Sequence, residues 1–182
     1  MDIILASNSP RRKELLKNAG VDFTVIPSSF VEPKNTNLSP EKYAEFLAYN
    51  KALTVFNEHG GVVIGADTIV VLDGEILGKP IDENDAFCML KSLSNKTHLV
   101  VTGYSVITSE KVYSGYDVTK VTFKELSNEV IKDYIKTGSP LDKAGAYGIQ
   151  DKILLVDSVE GDYDNVVGLP TYKILKILAE IK

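Results

Sequence analysis

Short apolar runs separated by helix-length stretches constrain this chain more than any other feature. Ile3–Ala6, Val62–Ile64, Ile69–Leu72 and Ile153–Val156 have the length of strands and are too short for buried helices. Helical signals lie between them. Ser9-Pro10 and Ser39-Pro40 place a capping side chain before a proline, which suits the first helical position. The first of these predicts a helix from Pro10 to a stop at Gly20, with Leu15, Leu16 and Ala19 inward. The second predicts a helix running to about Glu58, before Gly60-Gly61. Asp82 caps a helix to about Leu93, Ser127 opens one ended by Gly138 and Pro140, and a last helix starts at Pro170. Phe23–Ile26 reads as a strand, and residues 27–39, with two prolines, as a loop. Asp73-Gly74 between Ile69–Leu72 and Glu75–Leu77 is a hairpin signal. Strands at about 97–108 and 112–124 are marked by their β-branched residues. Strands interleaved with helices, plus a hairpin, indicate an α/β fold with a mixed β-sheet in a single domain over residues 1–182.

Composition narrows the function classes. A chain of 182 residues, 44% of them hydrophobic, can bury a real core. Its net charge of -5 excludes a general basic coat for nucleic acid. One cysteine excludes an intrachain disulfide, and Cys88, in an apolar helical stretch, is expected in the core. The N-terminus has an Asp at residue 2 and only four apolar residues in a row, so neither a signal peptide nor a membrane span is expected, and the chain is expected to be cytoplasmic.

Against this acidic background, Ser7-Asn8-Ser9-Pro10-Arg11-Arg12 stands out. A helix N-terminus prefers acids in its first turn, and this one carries two arginines. A bound anion would resolve the conflict: free N–H groups, the helix dipole and two guanidinium forks together form a phosphate cradle. The other reading is a solvated helix end with both side chains bent into water.

Asp67 follows the apolar run Val62–Ile64. It is either the cap of a turn or a carboxylate paired with a metal or cation, because an unpaired buried carboxylate is costly. Lys79, in Gly-Lys-Pro after the hairpin, is either solvated or a cation beside Asp67. The segment around it is no P-loop, since only three residues separate its glycines and Pro80 stands where Ser or Thr would hold magnesium. Lys51 falls on the apolar stripe of Ala44, Leu47, Ala48, Ala52 and Val55, where it either snorkels out or points into a polar site. Glu32 is a lone acid in its loop. Residues 144–150, Ala-Gly-Ala-Tyr-Gly-Ile-Gln, combine small residues that admit close backbone approach with Gln150, a paired donor and acceptor. His59, His98 and Cys88 lack zinc-ligand spacing, and there is no serine nucleophile elbow.

Taken together, Ser7-x-Ser9-Pro10-Arg11-Arg12-x-Glu14-Leu15-Leu16, Gly65-Ala66-Asp67-Thr68, Gly78-Lys79-Pro80, residues 141–150 and Val166-Val167-Gly168-Leu169-Pro170 resemble the Maf family of nucleotide pyrophosphatases. The resemblance runs from residue 3 to about residue 178. It implies a twisted mixed sheet flanked by helices with a deep cleft, like that of inosine triphosphate pyrophosphatases. It implies hydrolysis of a nucleoside triphosphate to the monophosphate and pyrophosphate with a divalent cation, magnesium or manganese. By matching position, Asp67 is the proton acceptor, and Arg12, Thr68 and Gln150 set substrate specificity. Ser7, Arg11, Glu32, Lys51 and Lys79 match other positions of the site, with Glu32 and Asp67 sharing the metal and Lys51 and Lys79 joining Asp67 in catalysis. The set is similar to that of the branch acting on dTTP and UTP, or on modified pyrimidine nucleotides. Pro33 departs from the family pattern, which has acidic or polar residues there. The resemblance also implies a homodimer and a link to arrest of septum formation. A non-catalytic nucleotide-sensing regulator of septum formation is the alternative from another class.

Overall fold

The computed structural model describes residues 2–33 and 37–181. Within the loop expected at 27–39, residues 34–36 lie outside the described residues. The strands are β1 (Ile3–Leu5), β2 (Thr24–Val25), β3 (Val62–Leu72), β4 (Glu75–Leu77), β5 (Thr97–Ile107), β6 (Val112–Phe123) and β7 (Val156–Glu160). The helices are α1 (Pro10–Asn18), α2 (Pro40–His59), α3 (Glu83–Leu93), α4 (Asn128–Lys136), α5 (Tyr163–Val167) and α6 (Thr171–Glu180), with 3-10 turns at Ser139–Asp142 and Ala144–Ala146. The sheet is mixed and runs β2-β1-β3-β5-β6-β7, with β4 on β3. β1 is parallel to β2 and β3, whereas β4 is antiparallel to β3 and β7 to β6. Among the described residues no helix is long and apolar enough to cross a membrane.

The chain divides into two compact units, with boundaries inside β3, β5 and β6 and a fourth at the end of α5. The first takes residues up to Thr68, Thr102–Asp117 and the chain from Gly168. β1 and β3 are buried on both faces, which is why Ile3–Ala6 and Val62–Ile64 read as unbroken apolar runs. Leu5, Ile64 and Ala66 pack with Leu16 of α1 and with Ile174 and Leu178 of α6. On the other face Ile4, Ala6 and Val63 pack with Ala52 and Val55 of α2. The capping signals hold here: the Ser9 and Ser39 hydroxyls accept the N–H groups of Arg12 and Lys42 at 3.5 and 3.4 Å.

Helix α2 lies unusually close to the sheet. A Cβ at Gly65 would sit 2.3 Å from the Ala48 carbonyl oxygen, and one at Gly103 would sit 2.0 Å from that of Ala44. Ala44, Ala48 and Ala52 at four-residue spacing give α2 a smooth face, and the two glycines give the sheet a matching one.

The second unit holds Ile69–Val101 and Val118–Val167. Leu90, Leu93, Val100, Val121, Phe123, Ile131, Tyr134 and Tyr147 build its core. Asp73 and Gly74 both have positive φ, 50° and 86°, as the tight hairpin turn requires. Asp82 and Ser127 cap α3 and α4 as their positions suggest.

Several boundaries differ from the sequence reading. Val62–Ile64 and Ile69–Leu72 are one strand, because Gly65–Thr68 continues the β3 ladder through a stretch with turn-like composition. The strand expected at Ile153–Val156 starts at Val156, where the pairing of Val156–Glu160 with β6 begins; Leu155 is buried just before it. Strand 23–26 shortens to Thr24–Val25. Cys88 is exposed, on the outer side of α3, while Ala86, Leu90 and Leu93 face inward. Helix α5 is absent from the sequence reading; at its start the Asp162 carboxylate accepts the Asp164 N–H at 3.0 Å.

Candidate active site

The site in the first unit is built on consecutive residues of β3. Side chains alternate across a strand, so Asp67 lies on the α2 face with Gly65, and Thr68 on the α1 face with Ala66. Both meet a cation.

Thr68 meets Arg12. Three groups hold that guanidinium: Nε donates to the Gly168 carbonyl at 2.7 Å, Nη1 to the Ser7 hydroxyl at 3.1 Å, and Nη2 to the Thr68 hydroxyl at 3.1 Å. Thr68 is itself anchored by Thr102, 2.9 Å between hydroxyls. Ser7 also accepts the Ser9 N–H at 3.2 Å. Gly168 has φ of 131°, a conformation open to glycine, and this lets its carbonyl meet Arg12. Arg12 is therefore fixed in a defined fork, not bent into water. Burial lowers its pKa, and the nearby Asp67 counters that pull. Arg11 is half-buried in the same turn of α1.

Asp67 meets Lys51. The close approach of α2 at Gly65 sets Lys51, one residue before Ala52, against the carboxylate two residues further along β3. The Lys51 ammonium also contacts Glu32 at 2.6 Å, so one cation is shared by two carboxylates. The Lys51 and Asp67 side chains are only 17% and 13% exposed, against 47% for Glu32. Burial pushes the Asp67 carboxyl above its ordinary value, and Lys51 and Arg12 pull it back down. Of the two sequence readings of Lys51, the inward one holds.

Tyr43 escaped the sequence reading. Its hydroxyl donates to the Pro33 carbonyl at 3.2 Å, beside Glu32. Burial raises its pKa, with Glu32 and Asp67 adding to the rise. The available signal was spacing: Tyr43, Leu47 and Lys51 fall on one side of α2 at four-residue intervals. Thr102 was missed as a site-builder because a threonine from a distant segment leaves no local pattern, and the motif that holds Gly168 gave no sign that its carbonyl meets Arg12.

Lys79 and Gln150 belong to the second unit. Lys79 is exposed, just after Gly78, whose carbonyl accepts the Gly145 N–H at 3.0 Å. That bond ties the Gly-Lys-Pro and Ala-Gly-Ala motifs together. Gly145 has φ of 66° and packs against Val70, where a Cβ would lie 3.0 Å from the valine methyls. Tyr147 is anchored in the core by His98, 2.7 Å from hydroxyl to Nε2. Gln150 is exposed on a turn.

The family model for Maf-like proteins matches residues 2–181. The chain belongs to the Maf family. A protein of Thermosipho africanus named dTTP/UTP pyrophosphatase is 51% identical to this Maf chain over 98% of it and 92% of its own length. One of Aquifex aeolicus with the same name is 49% identical over 100% of this chain and 96% of its own. Among solved structures, a nucleoside-triphosphatase (dITP/XTP pyrophosphatase) of Mycobacterium abscessus aligns with 69% of this chain and 76% of its own, at a TM-score of 0.46 and 17% identity.

Proposed function

We propose that this Maf protein hydrolyses dTTP and UTP to the monophosphate and pyrophosphate, clearing normal or modified pyrimidine nucleotides from the cytoplasmic pool as a single functional domain. The carrying observation is the buried Asp67 carboxylate, which shares the Lys51 ammonium with Glu32 while a fixed Arg12 fork stands on the other face of the same strand. The names of relatives at about 50% identity support the substrate class.

The site fits a divalent cation. Two carboxylates already converge on one positive charge, and magnesium or manganese typically takes one or two carboxylates and completes its shell with phosphate oxygens and water. Glu32 and Asp67 would hold it; when bound, it neutralises phosphate charge and makes water more acidic. Among the described residues no cluster of three or more His, Cys, Asp or Glu side chains forms a cage of protein ligands.

The chain's own residues perform the rest. Arg12 has five N–H donors and three are engaged, which leaves two to donate to a phosphate oxygen. Its charge and those of Arg11 and Lys51 oppose the charge that grows on the bridging oxygen as pyrophosphate leaves. Water attacks the α-phosphorus, and Asp67 accepts its proton; burial brings that carboxyl closer to the pKa a general base needs. Lys79 and Gln150 are assigned to the substrate by their motifs, Gln150 matching the donor and acceptor edge of thymine or uracil.

Pyrophosphate release from dTTP and UTP by the purified protein tests this reading. Turnover should require magnesium or manganese and stop with a chelator. Nucleotide binding without release under either metal would overturn it in favour of a non-catalytic nucleotide sensor.

A further inference from the structure

The catalytic reading leaves a polar network in the second unit without a purpose. Its centre is Tyr134, on α4, 1% exposed among Ile131, Phe123 and Leu90. The Tyr134 hydroxyl accepts the Gly148 N–H at 2.9 Å and donates to Asp151 Oδ2 at 2.5 Å. Gly148 and Asp151 are the two ends of one tight turn, closed by the Asp151 N–H on the Gly148 carbonyl at 3.1 Å. The central residues of that turn are Ile149 and Gln150. One phenol thus clamps both ends of the turn that displays Gln150.

The clamp is itself braced. The Ser139 hydroxyl donates to the same Asp151 oxygen at 2.6 Å. Lys143 donates to the Ser139 hydroxyl and carbonyl, each at 2.7 Å, and to Asp142 at 2.9 Å. Each hydroxyl, Tyr134 and Ser139, accepts one hydrogen bond and donates one, so their orientations are fixed. Burial, with Asp151 adding to it, pushes the Tyr134 pKa well up, so the phenol stays a donor at neutral pH. Such bracing exceeds what a surface turn needs. A glutamine reads a base only if its carbonyl and amide are presented in one order, and turn flexibility would blur that order.

We propose that Tyr134 and Asp151 are positioning residues for base selection, holding the Gly148–Asp151 turn so that Gln150 presents its carboxamide in one orientation. The proposal rests on the reading of Gln150 as the base-recognising residue. Neither Tyr134 nor Asp151 is required to touch the nucleotide.

The test is steady-state kinetics of Tyr134→Phe and Asp151→Ala on dTTP, UTP, CTP and GTP, beside Gln150→Glu, with melting curves for each. Tyr134→Phe keeps the buried ring and removes only the clamp. It should raise KM for dTTP and UTP by about five- to tenfold, the scale of one or two hydrogen bonds, while kcat stays near wild type and the preference over CTP narrows. A merely structural role would lower the active fraction, so kcat would drop equally for every nucleotide with KM and preference unchanged; that result, or no change at all, overturns the proposal. If Tyr134→Phe does not fold, Asp151→Ala decides by the same outcomes. Gln150→Glu separates the two levels. If it leaves the dTTP and UTP preference intact, the base-reading assignment fails and the proposal falls with it. If it alters the preference while the clamp variants do not, only the clamp fails.

Discussion

Replacing Asp67 by Asn keeps the shape of the side chain and removes its charge. Turnover should fall on the order of 10²–10⁴-fold, the usual contribution of general acid–base catalysis. The melting temperature should hold, because burial already disfavours the charged form of this carboxyl. Near wild-type turnover with an unchanged melting curve would remove Asp67 from the mechanism. The wild-type pH profile follows from the same shift. The active form is the carboxylate and its pKa is raised, so kcat/KM should fall toward acid with a midpoint above the ordinary Asp value of about 3.9. A midpoint at or below that value would show another group in control. Arg12→Lys is not conservative here. Lysine keeps the charge and loses the fork shared by Ser7, Thr68 and Gly168, so KM for dTTP should rise on the order of 10- to 100-fold, the scale of one charged hydrogen bond. An unchanged KM in initial-rate assays would show that charge alone suffices.

At the scale of elements, the seat of α2 on the sheet decides whether the site exists. Lys51 reaches Asp67 because Gly65 and Gly103 let the helix backbone approach where any side chain would block it. Gly65→Ala would place a methyl 2.3 Å from the Ala48 carbonyl oxygen, against backbone that cannot swing aside. The helix must lift, at a cost of at least about 2 kcal/mol for such overpacking. Lys51 would lift with it, so turnover should fall well beyond the loss of folded protein. Urea unfolding, with rates measured far from the midpoint, separates the two effects. Unchanged stability would mean that α2 has slack the geometry does not show. The apolar stripe of α2 was legible in the sequence, but the reason for its alanines was not. A helix built of Ala44, Ala48 and Ala52 looks merely helix-prone until the glycines opposite them are known.

For the molecule as a whole, acid stability turns on a group to which the catalytic proposal gives no role. His98 is 2% exposed in the core of the second unit, bonded to Tyr147, and burial lowers its pKa to about 4. In the unfolded chain it would titrate near 6.5. Between those values the unfolded state binds the extra proton and the native state does not, so stability must fall as pH drops through that window. The loss should reach about 3 kcal/mol by the lower end. Denaturant midpoints at pH 7 and pH 4.5 would show it, and His98→Gln, which keeps a hydrogen-bonding side chain, should flatten the difference. An equal fall in both proteins would assign the acid sensitivity to carboxylates instead.

Local rules act over a few residues, and what they govern was legible in the sequence. The Ser9, Ser39, Asp82 and Ser127 caps, the Asp73-Gly74 hairpin and the mixed α/β class all follow from capping chemistry, positive φ and periodicity. The site residues could be named from motifs, but their partners could not. Gly65–Thr68 looks like a turn on its own, and becomes mid-strand only because the ladder on either side carries it through. Whether Lys51 snorkels or turns inward depends on a carboxylate sixteen residues away. The Arg12 fork is closed by a carbonyl 156 residues further on. Hydrogen bonds of that span leave no mark in a sequence window, since each partner satisfies its own local rules in either arrangement. Only the folded chain, by desolvating these groups together, compels them to pair.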